Sequence, residues 1–226
     1  MRRPAFPIFL ALALPAMAQD APQGPNDMRA MSPPGAVAQL AAAQDLFVLG
    51  RAAQDPLTVI AAARLSQAIR PRDVSQARES IAAPDATDPP PDAAKGPVET
   101  AAMFTEARRL SGQDETLLTL IDEAEAQGER RQTGGASRSL ARLEPEASDI
   151  WTVPFFGAVP AELAVIGDGD GRLEVTVADD TDTVICAMAN GRDRFHCGWI
   201  PVRNGEFIIT VRNAGPGVED YWLVTN

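Results

Sequence analysis

Two hydrophobic periods divide the chain. From Gly35 to Gly128 apolar residues recur at three- and four-residue spacing in alanine-rich sequence, and from about Leu140 they alternate in short runs rich in Val, Ile, Thr, Phe and Trp. The first is the period of an amphipathic helix, the second that of a half-buried strand. "GAVAQLAAAQDLFVLG" sets Val37, Leu40, Ala41, Phe47 and Val48 on one helical face and predicts an end at Gly50. In "DPLTVIAAARLSQAIRP", Asp55 is placed to cap and Pro56 to open the next helix, where its missing N–H costs nothing. Leu57, Ile60, Ala61, Arg64, Leu65 and Ile69 follow at helical spacing, and Pro71 closes the run. A second pair repeats the layout: Met103, Phe104, Ala107 and Leu110 form one stripe, and Leu117, Leu118, Leu120, Ile121 and Ala124 another, capped by Asp114 and ended by Gly128.

The remaining elements read as eight strands: "SLARLE", "IWTVPFFGA", "AELAVIG", "RLEVTVA", "TVICAMA", "RFHCGWI", "EFIITVRN" and "YWLVTN". Leu173, Val175 and Val177 share one face, as do Phe207, Ile209 and Val211. The fold class is α+β in two domains, a small N-terminal helical bundle of two αα-hairpins followed by an antiparallel, jelly-roll-like β-sandwich. The boundaries are a signal peptide over 1–18, a flexible N-terminus over 19–34 and a first helical hairpin over 35–83. A Pro-rich linker over 84–97, a second hairpin over 98–128, a linker over 129–138 and the sandwich over 139–226 complete the division.

The opening "MRRPAFPIFLALALPAMAQD" has two arginines, a short apolar run and an A-x-A site, so export with cleavage before Gln19 is expected. The apolar run is shorter than the roughly 20 residues that span a bilayer, and no transmembrane segment is expected elsewhere. Removing the leader's two arginines takes the net charge from -11 to -13. That sign argues against nucleic acid and anionic membrane surfaces as partners.

Export places Cys186 and Cys197 in an oxidising compartment, the periplasm or the outside of the cell, where a disulfide is the default. If "NGRD" is a hairpin turning about Gly191 and Arg192, the two cysteines stand opposite each other, with Val184, Met188, Phe195 and Trp199 on the same face. A turn centred on Asn190-Gly191 would instead set them on a diagonal, about 7 to 8 Å apart. The first register satisfies pattern and bridge together. His196 is the single histidine. As the strand neighbour of Cys197 it points to the opposite face, which excludes a thiol–imidazole pair there and predicts a surface residue. A multi-histidine zinc site is excluded outright.

"VIGDGDGRLEVTVADDTD" carries the other candidate chemistry. Counted from Asp168 as an EF-hand loop, Arg172 falls where an oxygen ligand belongs and Leu173 where glycine belongs; shifting back by two puts Ile166 and Val177 at the end ligands. An EF-hand is therefore excluded. A looser calcium site of Asp168, Asp170 and Asp180 stands beside a plainer account, in which the glycines permit a tight connection and the aspartates bond their own turns. No other cofactor is expected.

"AVIGDGDGRLEVTV", "CGWIP", "GEFIITVRNAG" and "YWLVTN" resemble the bacterial pre-peptidase C-terminal type of β-sandwich, in a variant found at the end of secreted proteobacterial proteins. The resemblance covers about residues 140–226. In that variant the Gly-Asp run continues with further aspartates, where this chain has Gly171, Arg172 and Glu174, so Asp168 and Asp170 are the matching acids. Such domains are non-catalytic appendages of secreted hydrolases, which implies a binding or solubility role.

The resulting expectation is a non-enzymatic binding or interaction module whose partner is an envelope or extracellular protein or a carbohydrate. Tyr221, Trp222, Arg194 and His196 are the candidate ligand surface. The alternative is a carboxylate-based secreted hydrolase, or an accessory subunit of one, although two small domains imply no buried cleft for it.

Overall fold

The computed structural model describes residues 34–83, 96–128, 134–169 and 171–226. The expected leader, the flexible N-terminus up to residue 33, Asp170 and the first parts of both linkers (84–95 and 129–133) lie outside the described residues.

Four helices precede the main strands: α1 (Ala36–Ala53), α2 (Pro56–Gln67), α3 (Thr100–Ser111) and α4 (Glu115–Gly128). Asp55 caps α2 by accepting from Leu57 N at 3.0 Å, and Asp114 caps α4 by accepting from Thr116 N at 2.9 Å. Helix α1 does not stop at Gly50 but runs three residues further to a left-handed Gln54. Gly50 is instead the point of close approach between α1 and α2, since a Cβ there would meet Val59 Cγ2 at 2.8 Å. The buried face of α2 is also turned from the expected one: Val59, Ile60, Ala62, Ala63 and Ser66 are buried, whereas Leu57 is exposed. Phe47, Ile60, Met103, Phe104 and Ile121 form the centre of the bundle.

Beyond Pro71 the chain forms two short strands that the periodicity does not disclose, β1 (Arg72–Asp73) and β2 (Arg78–Ile81). Both are exposed edge strands, so they lack the inward face that writes alternation into a sequence. The eight expected strands follow as β3 (Ser137–Leu143), β4 (Ser148–Phe155), β5 (Ala161–Gly167), β6 (Leu173–Asp179), β7 (Val184–Arg192), β8 (Arg194–Trp199), β9 (Gly205–Asn213) and β10 (Glu219–Thr225). One sheet has the order β1-β3-β10-β5-β8 and the other β2-β4-β9-β6-β7. From β3 onward the chain passes repeatedly from sheet to sheet, which is the jelly-roll arrangement.

The inner faces enclose Trp199, Phe207, Leu173, Val177 and Ile209. The first sheet is covered on its outer face as well. Helix α1 lies over β5 and β8, and Val37, Leu40 and Ile69 pack there against Ala164, Ile166 and Trp222. Helices, first sheet and second sheet thus form three layers, and β5 and β10 are buried along their whole length.

The disulfide between Cys186 and Cys197 is present, with the Cα atoms 6.3 Å apart, but the expected hairpin is not. β7 pairs with β6 in one sheet and β8 with β5 in the other, so the bridge ties the two sheets together. The chain turns the corner at Asp193 rather than folding back on itself. Both geometries bring the sulfurs within reach, and a pattern of facing residues does not distinguish them.

Candidate functional site

Helix α1 has no capping side chain of its own at Gly35. The carboxylate of Glu162 on β5 takes that role from across the layer, accepting from Gly35 N at 2.5 Å and Val37 N at 3.2 Å. A buried negative charge at a helix N-terminus is satisfied by orphan amides and the helix dipole together. Near the middle of α1, Arg194 donates to Asp45 at 2.6 Å and, from its other side, to Asp193 at 3.0 Å. These two ties set the height of α1 above the sheet and leave a cleft of about 650 Å³ beside it.

The helical wall of the cleft includes Gln44, Phe47, Val48, Arg51 and Ala52 from α1 and Glu106 and Arg109 from α3. Gly167, Asp168 and Gly169 from the β5–β6 loop, with Arg194, form the opposite wall. The two domains therefore create an open cleft between them, which no periodic pattern in the sequence announces. On the helical wall Arg109 grips Glu106 with two hydrogen bonds of 2.7 and 2.8 Å, and that guanidinium holds the Glu106 carboxyl below its ordinary range.

Behind Asp168 lies an acidic cluster. Asp168, Asp193 and Glu219 offer oxygens that all lie within 4.8 Å of one another. They come from the end of β5, the β7–β8 corner and the start of β10, and Gly167 and Gly171 make room for them: a Cβ on either would overlap the carboxylates of Asp193 or Glu219. Glu219 is 2% exposed. Burial first, then a hydrogen bond with Asp193 and the charges of Asp168 and Asp193, push its carboxyl up to about 9. At neutral pH Glu219 is accordingly a neutral acid, whose proton can be shared with the Asp193 carboxylate beside it. Among the described residues these are the acids grouped closely enough to hold a cation, and a cation there would displace the Glu219 proton.

The expected site residues are distributed differently. Asp180 does not join Asp168: the seven-residue strand β6 separates the two turns, about 20 Å at the rise of a strand. Asp180 instead lies 3.8 Å from Arg203. Its neighbour Asp179 accepts from Thr181 N and Thr183 N, both at 2.8 Å, which is the plain turn chemistry of an aspartate. Tyr221 and Trp222 are corrected from ligand surface to interior. Tyr221 is fully buried, donates to Asp149 at 2.6 Å and accepts from Trp151 Nε1 at 2.8 Å. Trp222 lies under the helical layer with the Arg138 guanidinium 4.5 Å from its ring centroid. Their strand is central and covered on both faces, so neither alternating face is free. Arg194 does line the cleft. His196 points away from the disulfide as expected and sits 3.9 Å from Glu162; burial lowers its pKa, opposed by the Glu162 charge.

No family model matches the chain. No curated protein matches it either. Solved structures overlap part of it. The pre-peptidase C-terminal domain of a collagenase from Bacillus anthracis is 13% identical, covering 41% of this chain and 90% of its own at a TM-score of 0.34. PliG, a periplasmic inhibitor of g-type lysozyme from Aeromonas hydrophila, is 15% identical over 41% of this chain and 85% of its own, with a TM-score of 0.31. A mitogen from Yersinia pseudotuberculosis gives 9%, 40%, 84% and 0.29 in the same terms. At these scores the overlaps carry nothing about what this chain binds or does.

Arg51, Glu106, Arg109, Asp193, Glu219 and Glu162 were not legible as site residues. None belongs to a recognisable motif in its own helix, turn or strand, and only the docking of α1 and the corner at Asp193 brings them together.

Proposed function

We propose that this chain is a non-enzymatic, exported binding module that takes its ligand or partner in the cleft between α1 and the β5–β6 loop. The observation that carries this reading is the cleft itself, whose two walls belong to different layers and are held in register by Glu162 and Arg194. Concave sites where separate structural units meet are the common location of ligand binding.

Several features favour binding over catalysis. Both thiols are consumed in the disulfide, and the single imidazole lies 3.9 Å from Glu162 on the strand face opposite Cys197. The Asp168–Asp193–Glu219 cluster is tighter than the roughly 5 to 10 Å that accommodates a glycosidic bond between two acids. The disulfide favours the periplasm or the outside of the cell as its compartment. Among the described residues no helix is long and apolar enough to cross a membrane. A role for the sandwich like that of pre-peptidase C-terminal domains belongs to the same proposal, with an envelope or extracellular protein or a carbohydrate as partner.

The test pairs the full chain with Ala52→Trp, a substitution at an exposed position on the cleft wall, on a glycan array and in a pull-down from envelope extract. A ligand retained by the full chain and lost from the variant, at unchanged melting temperature, is the expected result. Empty arrays and pull-downs, retention indifferent to the tryptophan, or polysaccharide hydrolysis lost on Asp168→Asn would overturn it.

A further inference from the structure

We infer that the helical wall of the cleft is a subsite for a carboxylate, with Arg51 and Arg109 as the binding residues; the inference rests on the cleft being the ligand site. Two guanidiniums share one carboxylate there. Glu106 spends both oxygens on Arg109, while the nearest approach of Arg51 to it is 3.5 Å, through Nε. Among the described residues neither terminal amino group of Arg51 finds a hydrogen-bond partner, and Arg109 commits Nε and one terminal amino group to Glu106, leaving the other open. Arg51 is nevertheless held in place, with its guanidinium 5.6 Å from the centroid of the Phe47 ring that forms the floor below it. The wall thus presents spare, oriented N–H groups beside an apolar floor, in a protein whose net charge is -11.

The charge count selects the ligand. Two arginines and one glutamate leave a surplus of one positive charge on the helical wall, which a carboxylate neutralises. A phosphate dianion would exceed it and would also face Asp168 across the cleft. Planar, forked recognition of a carboxylate is what guanidinium provides and an ammonium does not. On the opposite wall Arg194 is already paired with Asp45 and Asp193, and the Asp168 carboxylate beside it suits the hydroxyl or amide hydrogens of the same ligand. The ligand is therefore a small polar molecule with one carboxylate at one end and hydrogen-bond donors at the other. An acidic sugar and an N-acylated amino acid with a neutral polar side chain both supply that chemistry.

Titration calorimetry of the full chain with galacturonate and with N-acetylserine, each bearing one carboxylate, against galactose, N-acetylserinamide and inorganic phosphate, tests the subsite and separates the two sources. The expected result is binding of at least one carboxylate probe about tenfold tighter than its neutral counterpart and than phosphate, weakening with added salt. Arg51→Gln with Arg109→Gln abolishes that preference; both side chains are more than half exposed, so the melting temperature stays put. Lys replacements, which keep the charge without the fork, recover only part of it. Equal binding of charged and neutral probes, or a preference that survives the double Gln variant, overturns the subsite and leaves the binding-module reading standing. No binding by any probe overturns the subsite as well, and that reading is then judged by its own array and pull-down.

Discussion

Arg194 at the start of β8 donates to Asp45 of α1 at 2.6 Å and, through another nitrogen, to Asp193 at 3.0 Å. One guanidinium thereby joins the helical layer to the acidic corner of the sandwich. The two bonds differ in weight. The Asp45 side chain is 59% exposed, so its pair with Arg194 is screened, whereas Asp193 is 11% exposed and stands beside two further acids. Asp45→Ala is expected to change stability by less than about 1 kcal/mol. Arg194→Ala, which leaves a buried carboxylate without its counter-charge, is expected to cost about 3 kcal/mol. Urea denaturation of both variants checks the asymmetry, and equal losses would contradict it.

Glu162→Ala removes the cap of α1 from a distance of more than a hundred residues along the chain. The loss leaves the buried Val37 amide and the more exposed Gly35 amide without their acceptor and is expected to cost about 1 to 3 kcal/mol. Hydrogen exchange should then quicken in the first turn of α1 before it does in α3 or α4. Uniform protection across the four helices would show that α1 is not seated by this carboxylate.

The Glu219 carboxyl titrates at about 9 in the folded protein against 4.5 for the unperturbed group. Between those values the folded state binds the extra proton, so its contribution to stability is complete below about pH 4.5 and is lost as pH rises towards 9. Glu219→Gln, which imitates the neutral acid, should match the parent at about pH 5 and exceed it at about pH 8, with a flatter melting-temperature profile. A variant less stable than the parent at both values would mean that the ionised form is the one the fold uses. Because the proton already occupies the cluster, millimolar calcium and a chelator should give the same melting temperature at neutral pH. A rise of several degrees with calcium would place a cation at Asp168, Asp193 and Glu219 instead.

The periodic parts of this fold were open to sequence reasoning because burial writes a period into them. Leu173, Val175 and Val177, and Phe207, Ile209 and Val211, are all at most 1% exposed, on the faces that alternation assigned. Asp55 and Asp114 cap the helices they precede. What escaped has no period. Arg78–Ile81 is a strand with every residue exposed, and a corner at Asp193 leaves the same facing pattern in "ICAMANGRDRFHCGW" as a hairpin would. The aromatic pair Tyr221 and Trp222 held a readable clue. "YWLVT", like "AELAVI", is nearly continuous in apolar residues, the mark of a strand covered on both faces, and it argued for burial rather than a ligand surface. The acidic cluster and the arginine pair depend on tertiary contacts between residues far apart in sequence, which no local pattern encodes.

Replacing Cys186 and Cys197 together by serine should lower stability by about 3 kcal/mol, as expected for a loop of this length. Because the bridge joins sheets and not the two arms of a hairpin, the amides of β7 and β8 should show no cross-strand hydrogen bonds to each other. Those of β8 should pair with β5, with His196 opposite Ala164. Direct detection of a β7–β8 ladder across the hydrogen bonds by NMR would contradict the sandwich topology.

The most direct test of the cleft as a ligand site is a fragment library screened against the full chain by backbone amide shifts. Hits are expected to perturb Gln44 to Gln54, Gly167 to Gly169 and Arg194 as one contiguous set, and to leave the β6–β7 turn around Asp180 unmoved. Hits that gather at the β6–β7 turn, or scatter without touching the cleft, would contradict the account.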